Sequence, residues 1–157
     1  APGLASFVGA ERRFERLGNA QGVEVIDDYA HHPTELRATL TAAREAFPNR
    51  RILAAFQPHL YSRTRDFAGD FGDALASADL VFLADIYPAR EKPIDGVSSQ
   101  LIADAMAKRG LPPRWMGPRT ALAAALDAEA RDGDIVLTIG AGDVTKTGPE
   151  LIALRRG

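Results

Sequence analysis

The chain has no cysteine, one tryptophan and two methionines in 157 residues. Without cysteine, disulfides and thiolate metal sites are excluded. Aromatic residues make up only 7%, and 19 Lys and Arg against 21 Asp and Glu leave a net charge of −2. The chain therefore offers neither the stacking surface nor the basic footprint of a nucleic-acid binder. No run approaches the roughly 18 apolar residues that a membrane-spanning helix needs. The opening APGLASFVGA carries no apolar signal core, and the expected location is cytoplasmic.

What is present is 46% hydrophobic and 25% charged residues, enough for one domain with a substantial core. Glu11 to Leu17 reads as an edge strand or a frayed helix. The strand is preferred, because Gly18, Asn19 and Gly22 then connect it as a hairpin to Val23 to Ile26. Short apolar runs follow at Arg51 to Phe56, Leu80 to Ala84 and Ile135 to Ile139, with a weaker strand at Arg114 to Met116. Continuous apolar runs of this length suit strands covered on both faces.

Helical patterns alternate with these runs. Pro33 opens one, since proline fits the first helical position, and Leu36, Leu40, Ala43 and Phe47 give it a buried face. Thr64 to Ser77 places Phe67, Phe71 and Leu75 on one side. Ser98 caps a helix with Leu101, Ile102, Ala105 and Met106 that stops at Gly110, and Thr120 caps another with Leu122, Ala125 and Leu126 that ends before Gly133. A last helix spans Asp143 to Leu154. Strands alternating with helices predict an α/β fold: a Rossmann-like, doubly wound, mostly parallel sheet of about six strands with one antiparallel edge strand.

In such sheets ligands bind beyond the carboxyl ends of the strands. The chemically rich segments DDYAHH, QPHLYSRT, DIYPARE and GAGD all fall there. GAGDVTKT nearly matches a phosphate-binding GxxxxGK[ST] loop, but Thr145 stands where the motif has its second glycine, which favours a tight strand-to-helix turn instead. His31 and His32 are adjacent, so their side chains diverge, and no helical ligand spacing follows. His32 reads as a packing or capping residue, and His31 as the better ligand-binding candidate. Arg63 and Arg65 lie just after a strand, where an arginine clamps a carboxylate or phosphate or lies on a solvated helix face. Of Asp27 and Asp28, one is expected to serve as a loop-capping acceptor.

Taken together, DDYAHHPTEL and FQPHLYSRTRDF, with RRFE before, IYPAREKPIDGVSS between and GAGD near the end, resemble the C-terminal domain of the Mur ligases of peptidoglycan synthesis. The resemblance runs over nearly the whole chain in the family's order and spacing. It implies an ATP- and Mg2+-dependent amide ligase: the carboxyl of UDP-N-acetylmuramate is phosphorylated to an acyl phosphate, the amine of L-alanine attacks it, and ADP and phosphate leave. It also implies three domains, of which residues 1–157 match the third. The UDP-binding and central ATPase domains would then precede Ala1, and the fragment alone is expected to be inactive and to bind no cofactor.

By motif position, Arg13 resembles the catalytic arginine that reaches the ATP phosphates when the domains close. Asp28 resembles the carboxylate that accepts from the ATP ribose. Tyr29, His31 and Arg63 resemble the walls of the amino-acid pocket, and no metal ligand is expected among them. Where some relatives carry arginine after QPH, this chain has Leu60, which leaves the carboxylate to Arg63. Two alternatives stand beside this reading: a recycling ligase that adds a tripeptide to UDP-N-acetylmuramate, and a stand-alone Rossmann-like binding module.

Overall fold

Valine, isoleucine and leucine in unbroken short runs have no polar face to give to water, so the sheet they form is covered on both sides. The computed structural model describes residues 12–157. Its strands are β1 (Glu15–Ala20), β2 (Val23–Asp28), β3 (Ile52–Phe56), β4 (Leu80–Ala84), β5 (Trp115–Gly117) and β6 (Ile135–Ile139). They form one sheet in the order β1-β2-β6-β3-β4-β5. All neighbours run parallel except β1 and β2. Every residue of β3 and β6 is buried.

The helices are α1 (Pro33–Ala46), α2 (Tyr61–Leu75), α3 (Gln100–Lys108), α4 (Leu122–Glu129) and α5 (Thr147–Arg156). Leu36, Leu40, Phe71, Leu75, Ile102 and Met106 bring α1, α2 and α3 onto one face of the sheet. Leu122, Leu126 and Leu151 bring α4 and α5 onto the other. The doubly wound architecture expected from the sequence is therefore present. Because β6 inserts between β2 and β3, it alone stands out of sequence order in the sheet, and its carboxyl end lies between theirs, the position at which doubly wound sheets open a crevice for ligands.

Three expectations need correction. The first hairpin turns at Gln21 and Gly22, both at positive φ, and not at Gly18 and Asn19, which lie inside β1. A bulge between Arg16 and Gly18 absorbs the glycine, so the ladder runs on to the pair Ala20 and Val23. Residues 1–11, including Glu11 of the expected strand, lie outside the described residues.

Second, α2 begins three residues earlier than expected, at Tyr61, and breaks its helical geometry at Phe67 (φ −123°, ψ 19°). Phe67 is 39% exposed and does not share the buried face of Phe71 and Leu75. Third, Ser99 directly precedes α3 and turns its hydroxyl away to donate to the Ala84 carbonyl at 2.5 Å, while the Ser98 hydroxyl accepts the Gln100 N–H at the helix start at 3.1 Å, as a cap does. Ala103 is then buried where Ala105 was expected. The single turn Arg119–Ala121 takes in Thr120, which caps nothing, and the turn Asp143–Lys146 precedes α5.

Candidate functional site

Two acidic residues end β2, and they do different work. Asp27, 1% exposed, is a hub. Its Oδ2 accepts from Arg12 Nε at 2.9 Å and from the Thr145 hydroxyl at 3.0 Å, and its Oδ1 accepts from the Thr138 hydroxyl at 2.8 Å. Arg12 also donates to the Gly140 carbonyl at 2.8 Å, lies over the Tyr29 ring, and accepts from the Tyr29 N–H at 2.7 Å. The threonine that breaks the phosphate-loop pattern is thus a structural donor, and the loop is the tight turn that the sequence favoured. Asp28 accepts from the backbone N–H groups of Phe14 at 2.9 Å and Ala30 at 2.8 Å. It is the expected loop-capping acceptor. It also borders, with Arg13, Phe14, Thr34 and Glu35, a shallow pocket of about 360 Å³. Arg13 itself is exposed at the edge of that pocket.

A second group gathers on His31. Glu35, in the first turn of α1, accepts the backbone N–H groups of both His31 and His32 at 3.1 Å, which fixes the loop on the helix start. Burial works against the Glu35 charge, yet these two backbone donors and the neighbouring imidazoles hold its carboxyl below the usual glutamate value. His31 meets the Tyr29 ring edge-on, with centroids 5.2 Å apart, and lies 5.1 Å from the His32 ring and 5.9 Å from the His59 ring. Its Nδ1 faces the Tyr29 carbonyl at 3.1 Å.

Arg63 lies in the first turn of α2, because that helix starts early, and not in the loop where the sequence put it. Two buried polar atoms in this group, His59 Nδ1 and Arg63 Nη1, have no hydrogen-bond partner among the described residues. Burial, the His31 ring and the Arg63 charge push the His59 imidazole below its ordinary value, with Glu91 partly opposing. His32 is lowered by burial first, then by Arg63 and His31. A guanidinium with a buried N–H that meets no acceptor among the described residues, next to imidazole rings, makes a positively charged, donor-rich cluster suited to a small carboxylate.

The structure therefore brings Arg13 and Asp28 to one pocket, and sets Tyr29 against His31 and His31 against His59, whose imidazole lies within reach of the Arg63 charge. Arg65 belongs to neither, since it pairs with Asp66 on the exposed side of α2. Sequence reasoning passed over His59 and Gln57 as site residues. Gln57 donates to Asp143 at 2.7 Å and accepts from the Val144 N–H at 3.1 Å, tying GAGD to the end of β3. The signal available was their position, immediately after an apolar strand. Leu60 takes φ 73°, ψ 137°, a backbone disfavoured for leucine. Its carbonyl accepts the Thr64 hydroxyl at 2.9 Å and its N–H donates to Tyr87 O at 2.9 Å.

The family model for the Mur ligase, glutamate ligase domain matches residues 12–142. The chain belongs to the Mur ligase family. It is 55% identical over 156 residues, 99% of its length, to the UDP-N-acetylmuramate–L-alanine ligase of Cutibacterium acnes. It is 50% identical over 157 residues to that of Mycobacterium marinum. The chain spans about a third of the length of these curated relatives, 33% and 32%. Among solved Mur ligases, the UDP-N-acetylmuramate-alanine ligase of Thermotoga maritima matches with a TM-score of 0.76 and 27% identity, over 92% of this chain and 30% of that one. A domain of a Haemophilus ducreyi protein named as a UDP-N-acetylmuramate:L-alanyl-γ-D-glutamyl-meso-diaminopimelate ligase matches with a TM-score of 0.68 and 25% identity. That match covers 90% of this chain and 98% of the solved domain.

Proposed function

We propose that this chain is the C-terminal domain of an ATP-dependent ligase that joins L-alanine to UDP-N-acetylmuramate, and that it supplies the amino-acid pocket and one edge of the ATP site. The observation that carries this reading is the cluster of His31, His59 and Arg63, with two buried polar atoms that have no partner among the described residues, at the carboxyl end of the sheet. A buried donor without a partner is costly, and an incoming carboxylate satisfies Arg63 with charge-assisted bonds. The amine of the same amino acid is then held by its other end, and the chain's task is to orient it toward an activated carboxyl brought by the preceding domains.

The relatives matched at 50 to 55% identity are named as alanine ligases, which favours alanine over the tripeptide of the recycling ligase. A stand-alone binding module is disfavoured by the same coverage, since each relative continues well beyond the matched third.

The ATP phosphates and Mg2+ do not fit the described residues. Thr145 stands where a phosphate-cradling loop has glycine, and its hydroxyl is given to Asp27, while no group of three His, Asp or Glu among the described residues is placed to hold a metal ion. Phosphate and metal binding belong to the preceding domains in this reading. The contribution here is Arg13, exposed and free to reach a phosphate on closure, and Asp28 beside it for the ribose.

Alanine-dependent ADP release by the full-length protein given UDP-N-acetylmuramate, ATP and Mg2+ tests the assignment. Arg63→Ala is expected to raise the KM for alanine and not that for ATP. Losing a charged hydrogen-bond partner costs about 1.5 to 3 kcal/mol, or roughly ten- to a hundredfold. An unchanged alanine KM removes Arg63 from the pocket.

A further inference from the structure

Tyr87 stands between two motifs that the proposed function leaves without a role, the DIYPARE loop after β4 and the last glycine of GAG. One side of its ring stacks on His59, with centroids 5.5 Å apart and planes 22° from parallel. Its backbone is fastened to the same stretch: Tyr87 N donates to Pro58 O at 2.8 Å, and Leu60 N donates to Tyr87 O at 2.9 Å. Together these form a parallel bridge between His59 and Tyr87.

The ring also presses on Gly142. A Cβ at that position would stand 2.5 Å from Tyr87 Cγ and 2.8 Å from Cδ1, with Gln57 Oε1 at 2.7 Å. Gly142 has φ −95°, outside the left-handed region, so its conformation does not call for glycine. The close approach of the ring does. Nor can the glycine recede easily, because Gln57 holds the next two residues through Asp143 and the Val144 N–H. On the far side, Glu91 accepts from both the N–H and the hydroxyl of Ser62, which pins the DIYPARE loop to the first turn of α2.

We propose that Tyr87 is a positioning residue for the amino-acid substrate: seated on Gly142, its ring holds His59 in the orientation in which His59 faces His31. The proposal rests on the reading of the His31, His59 and Arg63 cluster as the wall of the amino-acid pocket. It assigns the work to the face of the ring, because the contacts with His59 and Gly142 are made by ring atoms. Removing the ring and filling its seat should therefore have the same effect, from opposite sides.

Steady-state kinetics of the full-length protein test this with Tyr87→Ala, Gly142→Ala and Tyr87→Phe, each checked by thermal melting. Both alanine variants are expected to raise the KM for L-alanine about five- to tenfold, the scale of a lost aromatic pair, with the KM for ATP within about twofold. Tyr87→Phe keeps the ring and is expected to restore the alanine KM to within about twofold of wild type. An unchanged alanine KM in the alanine variants, an equal rise for alanine and ATP, or a Phe variant as impaired as Ala would each overturn the proposal. If Tyr87→Ala fails to melt cooperatively, Gly142→Ala decides, since it keeps the ring and fills the seat that the ring shares with Gln57. Wild-type protein that ligates no alanine overturns the ligase reading and this proposal with it, whereas normal wild-type ligation with unaffected variants overturns the Tyr87 role alone.

Discussion

Asp28 shows how one carboxylate serves two ends. Its oxygens accept the N–H groups of Phe14 and Ala30, and Phe14 sits at φ 48°, a conformation that this bond helps to hold next to Arg13. Asparagine in its place keeps one acceptor oxygen but turns an N–H group toward a backbone donor. Asp28→Asn is therefore expected to destabilise the domain by about 1 to 3 kcal/mol, the cost of leaving a buried donor unmet. It should also raise the KM for ATP in the full-length protein. Urea denaturation checks the first effect, and a midpoint equal to wild type would show that the turn does not depend on the charge. The sequence made the pair DD visible as chemistry at a strand end. Which of the two held the loop was decided only by Arg12 and Thr145 converging on Asp27, partners that are 15 and 118 residues away in the chain.

Elements were legible where one physical rule dominated. The apolar runs of β3, β4 and β6 and the Pro33 start of α1 were clear from hydrophobicity and from proline's fixed φ. Boundaries were less clear where tertiary contacts override local preference. Gly18 reads as turn chemistry but is carried in β1 by a bulge, and α2 gains its first turn because the Leu60 carbonyl accepts both the N–H and the hydroxyl of Thr64. The real hairpin turn has two central residues at positive φ, Gln21 at 53° and Gly22 at 81°. That geometry matches a two-residue type I′ loop, which prefers Asn-Gly. Gln21→Asn is expected to stabilise the domain by about 0.5 kcal/mol by relieving the left-handed glutamine. A small upward shift in urea midpoint would confirm it, and a downward shift would show that Gln21 makes a contact worth more than its strain.

At the scale of the whole molecule, two cores on opposite faces of one sheet give the domain its own stability. Residues 1–157 are expected to unfold cooperatively on their own, as the domain from Haemophilus ducreyi that this chain covers to 98% was also solved as a domain. Nucleotide binding by the fragment is expected to be weak, with Kd about millimolar, because the two contacts proposed for Arg13 and Asp28 are few against the cost of immobilising a flexible ligand. Calorimetric titration with ATP and Mg2+ measures this directly. Micromolar affinity would mean that Gly140 to Thr147 cradles phosphate after all. The site was half legible: its segments were visible because they follow strands, whereas the pairing of His59 with Tyr87 depends on the lateral order of β3 and β4, which no local pattern encodes.

Arg12 is bolted to Asp27, to the Gly140 carbonyl and to the Tyr29 N–H, all at the mouth of the crevice where β2 and β6 end. The next residue, Arg13, is exposed, so its long side chain springs from an anchored backbone, and the freedom it keeps is that of its own rotamers. A cation mounted in this way searches a small volume, and an anion arriving at the edge of the pocket meets it at little cost in ordering the main chain.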